Sequence, residues 1–191
     1  MSYSIIRMQK LKAPSIREIQ IHNQRERGSE TDPDIEKEKS NLNDDLLNTE
    51  KIDYVEAVEK KIKLGVKSTK RIRNDAVRLC EFVITSDNDF FENLTEKEEK
   101  KFFENGLKYL QVKYGSENII YATIHKDEKS PHMHVGFIPI TGDNRLAANS
   151  IFTRLELVML QDDFIYYMSE AGFNLKRGTF SKGKRLAKPD F

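Results

Sequence analysis

The 191-residue sequence has a single cysteine, no tryptophan, five prolines and only four histidines. One thiol, Cys80, excludes a disulfide within the chain and suits a reducing compartment. Set in an apolar run, it reads as a core side chain. No stretch approaches the ~18 consecutive apolar residues of a membrane span, and the N-terminus lacks the apolar segment of a secretion signal. These absences predict a soluble, cytoplasmic domain without membrane insertion. An excess of one charge is missing too: charged residues are 33% of the chain, yet the net charge is +1. The charges are segregated instead. Lys60 to Asn74 holds seven Lys/Arg and no acid, Phe173 to Pro189 holds six and no acid, and Glu26 to Glu50 holds nine acids against three bases. Two basic blocks on a nearly neutral chain point to local polyanion contacts.

Scarcity makes the placement of histidine informative. Three of the four lie in His125-Lys126-Asp127-Glu128-Lys129-Ser130-Pro131-His132-Met133-His134, between the apolar runs Ile119–Ile124 and Val135–Ile140. Both runs read as strands, so Lys126–Pro131 closes a hairpin. His132 and His134, two apart, then leave the same strand face, and the fold-back brings His125 beside His132. Three converging imidazoles hold a divalent ion with coordination positions left open. In the same turn, Glu128 and Asp127 offer a general base, a fourth ligand or a partner to an imidazole; Asp127 is equally a turn-forming residue.

Around the hairpin, strands alternate with long helices. Ser2–Met8 reads as a strand, and Pro14, Ile16, Ile19 and Gln20 begin a helix that Gly28 stops. The acidic Glu26–Glu50 stretch reads as loop with weak helix, in which Leu42, Leu46 and Leu47 are candidates to pack. Ile52, Val55, Val58 and Ile62 mark a helix ending at Gly65, followed by the basic connector Lys67–Asn74 and a strand over Ala76–Thr85. Capping-box patterns at Thr95–Glu98 and Thr153–Glu156 open two long helices, closed by Gly115 and Gly172, and Phe173–Arg177 reads as a short strand. The pattern predicts an α+β fold: a mainly antiparallel central sheet flanked by α-helices in a two-layer arrangement, as a single domain over 1–191 with a basic tail at about 178–191. That basic, unpatterned ending also predicts the front part of a longer protein.

The fourth histidine, His22, lies on the first helix three residues before Arg25, so the two are expected to share a face. That pairing allows a nucleophile or base beside a guanidinium that grips phosphate. Residue chemistry alone reaches a metal site with basic flanks, suited to phosphoryl transfer.

These residues together resemble the MobV-type plasmid mobilisation relaxases, of the endonuclease superfamily named for a histidine–hydrophobic–histidine triplet, here His132-Met133-His134. The opening Met1–Lys10, His22-Asn23-Gln24-Arg25, Ser40-Asn41-Leu42-Asn43, the Asp75–Asp87 strand region and Phe173 are similar as well. The resemblance implies a site- and strand-specific nickase acting at an origin of transfer, single-stranded or flanked by a hairpin, to start conjugative mobilisation with the coupling machinery. It implies His22 as the nucleophile, joined to the DNA 5′ phosphate with a free 3′ hydroxyl released. Glu128 would serve as base and Arg25 as phosphate contact. His125, His132 and His134 would hold one divalent ion, Mn²⁺ or alternatively Mg²⁺. Asn23, Lys67, Lys70, Arg71, Arg73, Lys182, Lys184 and Arg185 are the expected DNA contacts. Asp44 and Asp45 stand where related enzymes carry a tyrosine, and Tyr54 lies inside a helix, which disfavours a tyrosine nucleophile there. Two other readings stay open: a rolling-circle initiator using Tyr166 or Tyr167, and a DNA-binding repressor with a structural metal.

Overall fold

The structure is a computed structural model and describes residues 2–26, 34–68 and 71–177. Its centre is a six-stranded sheet in the order β2-β4-β5-β3-β1-β6. The strands are β1 (Tyr3–Lys12), β2 (Asp44–Asp45), β3 (Val77–Thr85), β4 (Ile119–His125), β5 (His132–Phe137) and β6 (Lys176–Arg177). Every pairing is antiparallel except β1 with β6. The helices are α1 (Ala13–Asn23), α2 (Tyr54–Gly65), α3 (Asn88–Glu92), α4 (Glu96–Tyr114), α5 (Ala148–Ile151) and α6 (Arg154–Glu170). No helix among the described residues is long and apolar enough to cross a membrane.

Strand alternation sorts the apolar residues into two cores. Ile6, Cys80, Phe82, Ile84, Met133, Val135 and Phe137 face the layer made by α3 to α6 and meet Phe102, Phe103, Leu107, Phe164 and Met168 there. Leu11, Leu79 and Tyr121 face the other way and pack beneath α1 and α2 with Ile16, Ile19, Val58 and Ile62. Cys80 is a buried, free core thiol. Because α1 and α2 are short, they leave part of the second face uncovered. That uncovered part carries the histidines: Met133 and Val135 point into the first core, so His132 and His134 point away from it.

Local signals in the chain account for most boundaries. The α4 capping box forms as expected, with Thr95 accepting from the Glu98 N–H and Glu98 accepting from the Thr95 N–H; Gly115, at φ 90°, ends the helix. At α6, Thr153 accepts from the Glu156 N–H, but the Glu156 carboxylate turns away to Tyr114 Oη at 2.7 Å and Lys113 Nζ at 3.2 Å. Four expectations shift. The first strand runs on to Lys12, since Leu11 opposite Leu79 still has a core to enter. The first helix stops at Asn23, and Arg25 sits beyond it at φ 49°; Gly28 lies outside the described residues. Of the acidic-stretch leucines, Leu46 packs on the first core while Leu42 and Leu47 are exposed. The last strand is only Lys176–Arg177.

Gly136 on β5 marks the tightest place in the sheet. A Cβ there would run into the Tyr121 ring, which stacks on Tyr54 with centroids 4.1 Å apart and cannot retreat. Gly136→Ala is therefore expected to cost about 2 kcal/mol through overpacking. For a domain of this size that lowers Tm by roughly 6 °C in a thermal melt.

Candidate active site

The fold brings all four histidines together. His125 closes β4, His132 and His134 stand on β5 opposite His125 and Thr123, and His22 enters from the last turn of α1. One ring nitrogen from each of the four lies within 4.8 Å of the others. His22 is 5.0 Å from His125 and 5.4 Å from His134 by ring centroid.

The hydrogen bonds around the hairpin histidines fix which nitrogens carry protons. His125 Nε2 lies 3.1 Å from the Asn23 carbonyl and His132 Nδ1 lies 2.9 Å from the Ser130 carbonyl. A carbonyl only accepts, so both of these ring nitrogens are donors, and in the neutral rings the opposite nitrogens are bare lone pairs. Those bare atoms, His125 Nδ1 and His132 Nε2, face each other at 3.3 Å. Two ligand nitrogens each about 2.1 Å from a common ion lie roughly 3 to 3.5 Å apart, so the gap has the width a metal needs. His134 is buried with no hydrogen-bond partner at either ring nitrogen, although its Nδ1 is 3.2 Å from Glu81 Oε1. An orphaned buried imidazole beside two opposed lone pairs fits a divalent cation. Burial is the largest influence on His125 and His132 and keeps both neutral, the ligand form; neighbouring positive charge adds to it.

Glu81 supports the cluster from below. This fully buried carboxylate accepts from Tyr121 Oη at 2.8 Å, Gln9 Nε2 at 2.8 Å and Asn23 Nδ2 at 3.2 Å. Burial alone would raise its pKa; the charge of His134 and the bonds from Gln9 and Tyr121 outweigh that and hold it at about 2. A permanent buried anion beneath His134 orients the ring and strengthens it as a ligand. An isolated acid in the otherwise apolar Leu79–Ile84 run was the signal for it in the sequence.

His22 is held between opposite charges. Arg25 Nη1 donates to the His22 carbonyl at 2.8 Å and lies 3.4 Å from Nδ1, while Nε2 lies 3.6 Å from Glu128 Oε1. Burial, then repulsion from His134, brings the His22 pKa down to about 4 against the pull of Glu128. Glu128 also sits 3.6 Å from His125 and 3.7 Å from His132, so its carboxylate roofs the cluster.

The expected phosphate grip by Arg25 takes another form. Its Nε and Nη2 fork onto the fully buried Asp127 at 3.0 and 2.6 Å, Nη2 also meets Glu128 at 2.7 Å, and Nη1 is turned to His22. Every N–H has a protein partner, so Arg25 positions its neighbours. Asp127, which further accepts from Ser40 Oγ at 2.6 Å, is an anchor for that fork instead of an open turn residue. Asn23 is likewise a support and not a surface contact: it is 2% exposed, with its amide on Glu81 and its carbonyl on His125.

The other expected contacts lie elsewhere. Lys67, Arg71 and Arg73 are exposed on the connector before β3, and Arg73 pairs with Asp75 at 2.9 Å. His132 pairs with Thr85 at the far end of that strand, about 26 Å away at ~3.3 Å per residue. Lys70, Lys182, Lys184 and Arg185 fall outside the described residues. Tyr166 is exposed on α6 and Tyr167 packs on Tyr109; α6 covers the sheet face opposite the histidines. Tyr54 is buried against Tyr121, which pushes its hydroxyl pKa up.

Two outcomes follow from this geometry. Glu81→Gln keeps the shape and removes the charge, so Mn²⁺ affinity is expected to fall roughly 10- to 100-fold by calorimetry. Without metal, the depressed imidazoles make the unfolded chain bind more protons as pH drops below the ordinary histidine value. Stability is then expected to be full above about pH 6.5 and to decline towards pH 4, read as Tm against pH.

Comparison with known proteins agrees over the whole chain. Residues 1–191 match the Mob_Pre family, described as plasmid recombination enzyme. A plasmid recombination enzyme of Bacillus sp is 48% identical over 178 residues, 93% of this chain and 43% of the relative. A plasmid recombination enzyme type 2 of Staphylococcus aureus is 47% identical over 178 residues, 93% of this chain and 42% of the relative. The chain thus spans less than half the length of these curated relatives. Among solved structures, the Mn-bound MobM relaxase domain on plasmid pMV158 oriT DNA superposes with a TM-score of 0.91 at 38% identity, covering 97% of this chain and 96% of that one. On this evidence the chain belongs to the Mob_Pre family of plasmid recombination enzymes, the MobV-type relaxases.

Proposed function

We propose that this chain is a relaxase domain that nicks one strand of a plasmid origin of transfer and stays joined to it through His22. The observation that carries the reading is the convergence of His22, from a separate helix, on the three-histidine hairpin, with Glu128 on its outward nitrogen. Support for the substrate and the ion comes from the MobM relaxase domain, which is bound to oriT DNA and Mn. His125, His132 and His134 would hold Mn²⁺, with Mg²⁺ as the alternative. When bound, the ion polarises the scissile phosphate and neutralises charge that builds on it.

The protein's own groups supply the nucleophile and the proton path. Arg25 can only donate, so His22 Nδ1 keeps its lone pair towards the guanidinium and Nε2 carries the proton. The in-plane lone pair of the neutral ring then bonds to phosphorus, and Glu128 takes the Nε2 proton as positive charge develops on the ring. The P–O3′ bond breaks, and the proton passes to the departing 3′ oxygen. The products are a phosphoramidate between His22 and the 5′ phosphate and a free 3′ hydroxyl. Reversal by a 3′ hydroxyl rejoins the strand without an external energy source. The depressed His22 pKa keeps the ring neutral at physiological pH, as a nucleophile requires.

In this reading the conjugative coupling machinery is a further partner, and the connector Lys67, Arg71 and Arg73, with the basic tail, contacts duplex or hairpin flanks. A rolling-circle initiator would need Tyr166 or Tyr167 at the metal, and both stand on the opposite side of the sheet. A repressor with a structural metal would bind origin DNA without cutting it.

His22→Ala is expected to bind Mn²⁺ within a few-fold of wild type while losing at least 10³-fold in nicking of an origin-bearing supercoiled plasmid. Unchanged nicking would remove His22 as nucleophile; lost metal binding would make it a fourth ligand. The wild-type adduct is expected to hydrolyse in acid, as phosphohistidine does and phosphotyrosine does not.

A further inference from the structure

The second sheet face has a strip that no helix covers. Strand register places Thr85 and then Ile5 in line with His132, and Val83 and then Arg7 in line with His134. Ile5, Val83 and Thr85 are half-buried, and neither apolar core includes them. At the sheet edge, Lys176 on β6 pairs with Tyr3, so it shares this face and is exposed. The Arg7 side chain is exposed and makes no ion pair or hydrogen bond with any described residue. An arginine idle beside a site crowded with paired charges is unusual, because Arg25, Glu81, Asp127 and Glu128 all have partners nearby.

The opposite flank differs in sign. A cleft of about 320 Å³ lies on the β2 side, and its charged lining is three acids, Asp44, Asp45 and Glu50, against two bases, Lys51 and the carboxylate-paired Arg25. A phosphate backbone leaving the metal site meets more acid than base there. Across β3 and β1 it meets an apolar lane with Arg7 and then Lys176.

Resting on the relaxase reading above, we propose that the DNA strand leaves the metal site over β3 and β1, and that Arg7 grips a phosphate flanking the scissile one. Two strand spacings separate β5 from β1, about 10 Å, within reach of an arginine side chain and an adjacent phosphodiester. Ile5 and Val83 offer a flat apolar floor to sugars and base edges. The ligand class is single-stranded DNA read through its backbone, so Arg7 contributes affinity and register without sequence preference.

The test is fluorescence anisotropy with labelled single-stranded dT20 over a range of NaCl concentrations, using wild type, Arg7→Gln and Arg154→Gln. Arg154 is exposed at the start of α6 in the other layer and removes the same charge away from the lane. Arg7→Gln is expected to weaken binding roughly fivefold at low salt and to flatten the log K against log salt slope by about 0.7, one contact's share on single strands. Arg154→Gln is expected to leave both unchanged, and Mn²⁺ affinity should stay at the wild-type value in all three. Equal slopes for Arg7→Gln and wild type, or equal losses in the two variants, would overturn the lane while leaving the relaxase reading intact. Failure of the wild type to bind dT20 at all would also overturn the lane, whereas failure to nick an origin-bearing plasmid would remove the relaxase reading. A methylphosphonate at single positions either side of the nick adds a second readout in an origin oligonucleotide. At one position it should slow wild-type nicking and add nothing to the Arg7→Gln defect; additive losses at every position would also reject the contact.

Discussion

A guanidinium fork shut between two carboxylates governs the geometry of the site. Arg25 joins the end of α1 to the β4–β5 turn through Asp127 and Glu128, and the Asp127 carboxylate is fully buried. Removing one partner of such a buried pair strands the other charge, at about 3 to 5 kcal/mol. The fork reaches this position because the chain leaves its helix at Asn23 and places Arg25 at φ 49°. A non-glycine residue in that region costs roughly 1 kcal/mol, which the paired charges more than offset. Had α1 continued for another turn, Arg25 would have pointed along the helix and His22 would have lost its link to the hairpin.

Charge is layered through the site. Glu81 lies underneath as a fixed anion, the imidazoles stand above it, and Glu128 with Arg25 forms the roof. Each layer accounts for the protonation of the next. Burial discourages positive charge on His22, His125 and His132, and two backbone carbonyls choose the tautomers of the last two, so their lone pairs converge where a cation fits. Such a cluster is self-repelling when bare and cohesive around an ion, so metal binding and stability are linked at this site.

The same charges give the surroundings a direction. Acidic groups gather on the β2 edge, and the open strip over β3 and β1 carries Arg7 and leads to Lys176. Net charge on the whole chain is almost zero, so any guidance of a polyanion comes from this local asymmetry. Helices on the far side of the sheet, with their many aromatic contacts, hold the platform rigid.

Periodicity and local chemistry determined much of this in the sequence alone. The hairpin that carries His125, His132 and His134 follows from strand parity, and the capped α4 follows from Thr95, Glu98 and Gly115, because both depend on residues a few positions apart. The family resemblance added the link between His22 and that hairpin, which spacing over a hundred residues could not supply. Tertiary structure alone decided what depends on distant pairing. Glu81 looked like one more strand residue until Tyr121, Gln9 and Asn23 closed around it. Asp127 looked like a turn former until the Arg25 fork entered from α1. Asn23 and Arg25 looked like DNA contacts until Asn23 proved to be buried against Glu81 and His125 and the Arg25 guanidinium to be paired within the protein. Arg7 had no distinction in its strand until sheet register set it in line with His134. A sequence encodes which face a residue takes; only packing of segments far apart in the chain fixes what stands opposite it.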